Sequence, residues 1–185
     1  MVSGDDNRLI ESDNAAAYCR KRIMNSTLPT TLRLAQPSDL EALCELELAC
    51  FDGDRFSRRQ LAHLLSRANA STRVAADTRG KLLGYATLLF RRNSRNARLY
   101  SFCVHPGARG GGLGRRLLEA LESEAYDRGM HKLTLEVRAD NRVAMGLYRR
   151  MGFLPQRWLD DYYVDGCAAW QMEKPLPPIE LSAAG

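Results

Sequence analysis

The stretch from Leu99 to Val137 constrains the fold more than any other part of this chain. The apolar run Leu99-Tyr100-Ser101-Phe102-Cys103-Val104 is followed by the glycine-rich turn Arg109-Gly110-Gly111-Gly112-Leu113-Gly114. Next come Leu113, Leu117, Leu118, Leu121 and Ala125 at helical spacing, then Gly129 and a second apolar run, Leu133 to Val137. The order reads strand, turn, helix, strand, and a helix between two strands lets them lie parallel. Glycines permit positive φ and close backbone approach, while a helix start presents unpaired N–H groups and partial positive charge. Such a turn suits a phosphate group. It also reads as a plain surface turn. Two familiar phosphate sites are excluded, because Arg115 and Arg116 stand where a Walker loop needs Lys-Ser/Thr, and Leu117 stands where a dinucleotide fingerprint needs its third glycine.

The flanking segments alternate in the same way. Thr31 to Ala35 reads as a strand, and Ser38-Asp39-Leu40-Glu41 as a capping box opening a helix to Cys50. A second box, Ser57-Arg58-Arg59-Gln60, opens a helix to Arg67. Arg73 to Ala76 and Lys81 to Phe90 bracket Asp77-Thr78-Arg79-Gly80 as a hairpin. After Val137, Asn141 caps a helix to Met151, Phe153 to Leu159 is a strand, and Asp165-Gly166 turns into a last strand from Ala168 to Glu173. The class is mixed α/β (α+β). The expected organisation is a flexible extension over 1–30 with a short helix near Asn14 to Arg22, one domain over 31–175, and a tail over 176–185 after Pro175-Leu176-Pro177-Pro178.

A chain of 185 residues with 45% hydrophobic content has the size and composition of a single globular core. The apolar run Tyr85 to Phe90 is too short to cross a bilayer, and the acids Asp5, Asp6, Glu11 and Asp13 do not suit a secretory leader. No membrane association and a cytoplasmic location are expected. The five cysteines contain no C-x-x-C pair, and the three histidines lack metal-ligand spacing, so reduced thiols and no metal site are expected. Cys103 as a nucleophile ranks well below Cys103 as a core thiol. The net charge of +5 suits an anionic small-molecule ligand and also suits RNA or acidic protein. Arg91, Arg92, Arg95 and Arg98 read first as a solvated hairpin loop, with nucleic-acid contact the weaker reading.

Arg109, Gly112 and Gly114 meet the pattern Arg/Gln-x-x-Gly-x-Gly/Ala, and Leu135-Glu136-Val137-Arg138-Ala139-Asp140-Asn141 leads into Ala144, Tyr148 and Gly152-Phe153. Together these resemble the acetyl-CoA loop and the Leu-Glu-Val-Arg, Asn-x-x-Ala-x-x-x-Tyr and Gly-Phe signature of GNAT N-acetyltransferases, in particular the ribosomal-protein-alanine group. The resemblance runs from Leu32 to Lys174. It implies the GNAT fold: a central mixed, mostly antiparallel sheet of about seven strands flanked by about four helices.

It also implies acetyl-CoA as donor, held by Phe102, Cys103, Val104, Arg109, Gly110, Gly111, Gly112, Leu113, Gly114, Arg115, Asn141 and Tyr148. Backbone N–H groups at Phe102 to Val104 meet the thioester carbonyl in such proteins where the strand splays from its neighbour. Glu136 points away from Leu135 and Val137 by strand alternation. The resemblance makes it the general base; otherwise it is an exposed strand glutamate or a partner of Arg138. Tyr148 lies two turns after Asn141 on one helix face and matches the tyrosine that protonates the leaving thiolate; it otherwise reads as a core residue. A phenol is a weaker acid than a thiol, so that transfer runs uphill by about 2 kcal/mol in isolation, and the value of Tyr148 includes a hydrogen bond to the thiolate.

Phe51, Arg138, Tyr162 and Tyr163 fall on the acceptor side, the two tyrosines matching a pair at a peptide entrance. A protein or peptide α-amine is the expected acceptor, with a small amine or lysine as alternatives, and a non-catalytic acyl-CoA-binding role stands as the rival of another class. Phe51-Asp52-Gly53-Asp54-Arg55-Phe56 replaces the group's Pro-Trp loop, and Ser101-Phe102-Cys103-Val104 replaces Asn-Ile-Ala-Val. Both departures flank the acceptor side. A monomer or homodimer is compatible with all of this.

Overall fold

The computed structural model describes residues 29–51, 53, 55–66 and 69–177. The expectations for 1–28, for Asp52 and Asp54, and for the tail from 178 lie outside the described residues. Within them the order is β1 (Thr31–Leu34), α1 (Leu40–Cys50), α2 (Arg58–Ser66), β2 (Ala70–Ala76), β3 (Leu82–Phe90), β4 (Asn96–Val104), α3 (Leu113–Asp127), β5 (Lys132–Arg138), α4 (Arg142–Arg150), β6 (Leu154–Leu159) and β7 (Ala169–Pro175). The seven strands form one sheet in the order β1-β2-β3-β4-β5-β7-β6. Every pairing is antiparallel except β4 with β5. The mixed α/β expectation therefore holds in strand count, helix count and topology.

Two helix starts differ in their capping. Ser57 and Gln60 do close the box, the Ser57 amide donating to Gln60 Oε1 at 2.8 Å. The box expected at Ser38–Glu41 sits two residues earlier. Pro37 opens a 3-10 turn ahead of α1, and Asp39 accepts the Gln36 amide at 2.7 Å. Proline's fixed φ starts the turn there, and Arg33 holds the Asp39 carboxylate in a fork of two 2.7 Å bonds. That guanidinium keeps the Asp39 carboxyl below its usual range.

Both faces of the sheet are covered. On one, Leu118, Leu121 and Ala125 of α3 pack with Leu133, Leu135 and Val137 of β5, Tyr148 of α4 and Phe153. On the other, Leu43 and Leu46 of α1 and Leu61 of α2 pack on Val74, Tyr85 and Cys103. At about 1.5–3 kcal/mol for each buried leucine, these layers are the main support of the sheet. Two features then shape the centre. Thr87 pairs with Ser101 but Leu88 pairs with Leu99, so Tyr100 is an extra residue in β4, a bulge. The parallel ladder of β4 and β5 holds only Asn96, Ala97 and Arg98 opposite Lys132, Leu133 and Thr134. Beyond that point the two strands part.

Candidate functional site at the parting of β4 and β5

A strand whose neighbour leaves has backbone groups to spare. The His105 amide donates to Leu83 O at 2.8 Å, toward β3. Alternation along the strand then turns the Cys103 amide toward β3, and the amides of Phe102 and Val104 toward the gap. The Arg109 side chain confirms the direction of Val104, because its Nε donates to the Val104 carbonyl at 3.0 Å. Strand alternation thus sets two N–H groups and a carbonyl along one wall of the gap.

The glycine turn closes one end of that wall. Gly110 and Gly112 hold φ of +83° and +79°, values that L residues rarely adopt. Gly112 is the N-cap of α3, so the first amides of a 15-residue helix open beside the end of β4. A Cβ on either glycine would meet nothing within 4 Å, which leaves bare backbone facing open space. Gly114 differs: a Cβ there would lie 3.2 Å from Phe102 Cζ and 3.3 Å from Leu147 Cδ2. Its missing side chain is what lets α3, β4 and α4 meet. An open cradle of amides with Arg109 beside it fits a pyrophosphate. Arg115, exposed, pairs with Glu119 at 2.7 Å one turn on.

Tyr148 lines the same face. Asn141 caps α4 by accepting the Ala144 amide at 3.0 Å, which aims the helix at the gap. The Tyr148 ring is buried between Phe102 at 6.0 Å and Phe153 at 5.8 Å. Burial, and secondarily the Tyr163 phenol, push its own phenol upward. A phenol held in its protonated form is a donor, the role that a departing thiolate requires.

Glu136 sits on the opposite face of the sheet, as alternation dictates, with its side chain largely buried. Its partner is Arg98, not Arg138. Arg98 Nε and Nη2 reach Glu136 Oε2 at 2.8 and 2.6 Å, and Gln171 Nε2 reaches Oε1 at 3.3 Å. Arg98 Nη2 also donates to Tyr162 Oη at 3.0 Å. Arg138 instead pairs with Asp140 and Asp165, at 3.1 and 2.7 Å, and lies 4.8 Å from the Tyr163 ring centre. It braces the connection that carries Tyr162 and Tyr163, whose rings meet edge to face at 5.1 Å.

The structure thus assembles the predicted residues in two groups. The glycine turn, Phe102, Val104, Asn141 and Tyr148 share one face of the gap, and Glu136 and Tyr162 share the other. Cys103, expected with Phe102 and Val104 at the thioester, instead turns its amide toward β3. Its thiol is buried, and a hydrogen bond with Cys50, followed by burial, drives it far above the usual thiol range. A thiol buried in the layer of Leu43, Leu46 and Tyr85 fits the core reading of Cys103.

Two residues escape a reading of the sequence. Arg98 belongs to β4, which begins at Asn96 rather than Leu99, so it is a strand residue facing β5's glutamate and not part of a solvated loop. Glu47 of α1 is buried, accepting the Tyr85 hydroxyl at 2.6 Å and the Phe56 amide at 2.6 Å. Burial pushes its carboxyl upward. It holds the start of α2 through the Phe56 amide; the Phe56 ring lies tilted 5.3 Å from Tyr100, and Phe51 packs against the core layer of Leu43, Leu61 and Tyr85. The one signal in the sequence is a glutamate on the apolar side of a helix.

Comparison with known proteins agrees with this geometry. The model of the Acetyltransferase (GNAT) family matches residues 40–153. The chain is 34% identical to the N-alpha-acetyltransferase RimI of Mycobacterium tuberculosis over 80% of its own length and 94% of that protein's. It is 37% identical over 47% of its length to an L-methionine sulfoximine/L-methionine sulfone acetyltransferase of Pseudomonas aeruginosa. Some relatives are longer: the chain spans 59% of that Pseudomonas protein and 37% of an uncharacterized Mycobacterium leprae protein. Among solved structures, the ribosomal-protein-S18-alanine N-acetyltransferase of Escherichia coli superposes with a TM-score of 0.74 at 28% identity, covering 83% of this chain and 98% of that one. Among the described residues no helix is long and apolar enough to cross a membrane.

Proposed function

Given that the chain belongs to the acetyltransferase (GNAT) family, we propose that it transfers an acetyl group from acetyl-CoA directly to the N-terminal α-amine of a protein or peptide, in the cytoplasm, using residues of the domain over 31–175. The observation that carries this reading is the parting of β4 and β5, with free strand amides and a helix start on one side and a buried carboxylate on the other.

In this reading the amides of the glycine turn, Arg109 and the first turn of α3 hold the pyrophosphate of the donor. The amides of Phe102 and Val104 polarise its thioester carbonyl. Glu136 takes the proton of the attacking amine, directly or through a water. As the new C–N bond forms and the C–S bond breaks, Tyr148 donates to the departing sulfur. Base and acid stand on opposite faces of the sheet, which suits an acceptor entering from one face and a thiolate leaving toward the other.

The α-amine is preferred over lysine on physical grounds. Its pKa near 8 lies about 2.4 units below that of lysine, so a single carboxylate base has about 3 kcal/mol less to supply. Likeness to the RimI proteins supports the same acceptor. A small amino acid is the second reading, favoured by the likeness to the methionine sulfoximine acetyltransferase and by the changed acceptor loop at Phe51 to Phe56. Thiol release with intact-mass detection on peptides, amino acids and polyamines separates the two. Turnover of small amines alone would refute the protein acceptor.

A further inference from the structure

The Glu136 face of the sheet carries a charge that the proposed reaction does not use. Arg98 ends the short parallel ladder, where β4 turns away from β5. Its Nε and Nη2 are spent on Glu136 Oε2, and Nη2 also on Tyr162 Oη. Nη1 makes no hydrogen bond to any described side chain or backbone group, and the side chain is 41% exposed. Around it stand the Tyr100 ring, 5.5 Å from the guanidinium carbon, the Phe56 ring against Tyr100, and Tyr162. The result is a part-exposed guanidinium flanked by aromatic rings and fixed against the candidate base.

That arrangement selects among amines. Glu136 Oε2 is taken by Arg98, while Oε1 carries only the long contact from Gln171, so an acceptor amine approaches Oε1. An amine placed there brings the substituents of its own carbon into reach of Arg98. A guanidinium presents planar N–H donors that match a carbonyl or carboxylate oxygen and repel a second ammonium. We infer that Arg98 is a specificity-determining residue that binds the carbonyl or carboxylate oxygen on the carbon next to the amine-bearing carbon, so that acceptors are α-amino acyl groups and not diamines or lysine side chains. This rests on the assignment of Glu136 as base. Two sources supply the chemistry: the first carbonyl of a peptide, or the carboxylate of a free amino acid.

The test compares wild type, Arg98→Lys and Arg98→Met on four acceptors: a short peptide with a free N-terminus, a free α-amino acid, an alkylamine without oxygen, and an α,ω-diamine. Thermal melts establish that each variant is folded. Wild type is expected to prefer an oxygen-bearing acceptor over the alkylamine and the diamine at least 100-fold in kcat/KM. Arg98→Met lowers that ratio at least tenfold, chiefly through KM, and Arg98→Lys restores part of it. The favoured source is whichever of peptide or amino acid wild type turns over better. A fall that is uniform across all acceptors, leaving the ratio intact, would overturn the inference while leaving the α-amine reading in place. Wild-type turnover of the diamine alone would overturn both.

Discussion

Replacing Gly112 by alanine isolates the contribution of backbone conformation to the cofactor loop. The residue holds φ +79° at the N-cap of α3, and a Cβ there would meet nothing within 4 Å. Steric crowding is therefore absent, and the cost is that of forcing an L residue into the left-handed region, about 1–2 kcal/mol. The protein has two ways to bear it. If the loop keeps its shape, the whole cost falls on folding and lowers Tm by roughly 2–8 °C for a domain of this size. If the loop relaxes instead, stability is retained and coenzyme A binds about 5–30-fold more weakly, the same energy seen as affinity. The losses in ΔG of unfolding and in ΔG of binding should add up to that cost. Calorimetric titration with coenzyme A and thermal unfolding, on the same Gly112→Ala preparation, measure both. A variant unchanged in both would refute the claim that this loop needs its left-handed glycine and uses it for the cofactor.

Other expectations follow from particular residues. Glu136→Gln should lower kcat about 10²–10⁴-fold with coenzyme A affinity retained, as removal of a general base does; a change under tenfold in steady-state kinetics would count against its role. Tyr148→Phe should reduce kcat while melting within a few degrees of wild type, since the phenyl ring keeps its packing on Phe102 and Phe153. For Glu47, burial raises the folded-state carboxyl above its ordinary value. Its contribution to stability is thus full below that ordinary value and is lost as pH rises through the raised one. Glu47→Gln should flatten this decline in urea midpoints taken from pH 4 upward; parallel profiles for the two proteins would contradict it. Phe153→Ala removes a ring that is 2% exposed and packed on Tyr148, and should cost about 3–5 kcal/mol in urea unfolding.

Most of the element order is legible in local sequence signals. The leucine spacing from Leu113 to Leu121 marks α3, Asn141 marks the start of α4, and Ser57 with Gln60 marks α2. These signals depend on neighbours within one helical turn. What escapes them depends on partners far away in the chain. A parallel ladder that stops after Arg98 and Thr134 has no sequence pattern; it arises because β7 claims the other edge of β5 while the bulge at Tyr100 swings β4 aside. Arg98 reads as a loop residue because Asn96 and Ala97 resemble loop, and pairing with β3 and β5 alone makes them a strand. Glu47 finds its partners 9 and 38 residues away, at Phe56 and Tyr85. Asp39 takes the place of Ser38–Glu41 in its cap because Pro37 starts the turn early, a local cue that the Ser-x-x-Glu spacing masks. Phe102, Val104, Glu136 and Tyr148, implied by resemblance, lie on β4, β5 and α4, whereas the pairing of Glu136 with Arg98 and of Arg138 with Asp140 and Asp165 is information that only the fold contains.

The most direct test of the account is thiol release from acetyl-CoA on a panel of short peptides differing at residue one, with intact-mass and fragment analysis of the products. A single added acetyl group is expected on the α-amine of particular peptides, abolished together with thiol release in the Glu136→Gln, Tyr148→Phe double variant. Acetyl-CoA binding without transfer to any α-amine, or transfer confined to lysine side chains or polyamines, would contradict it.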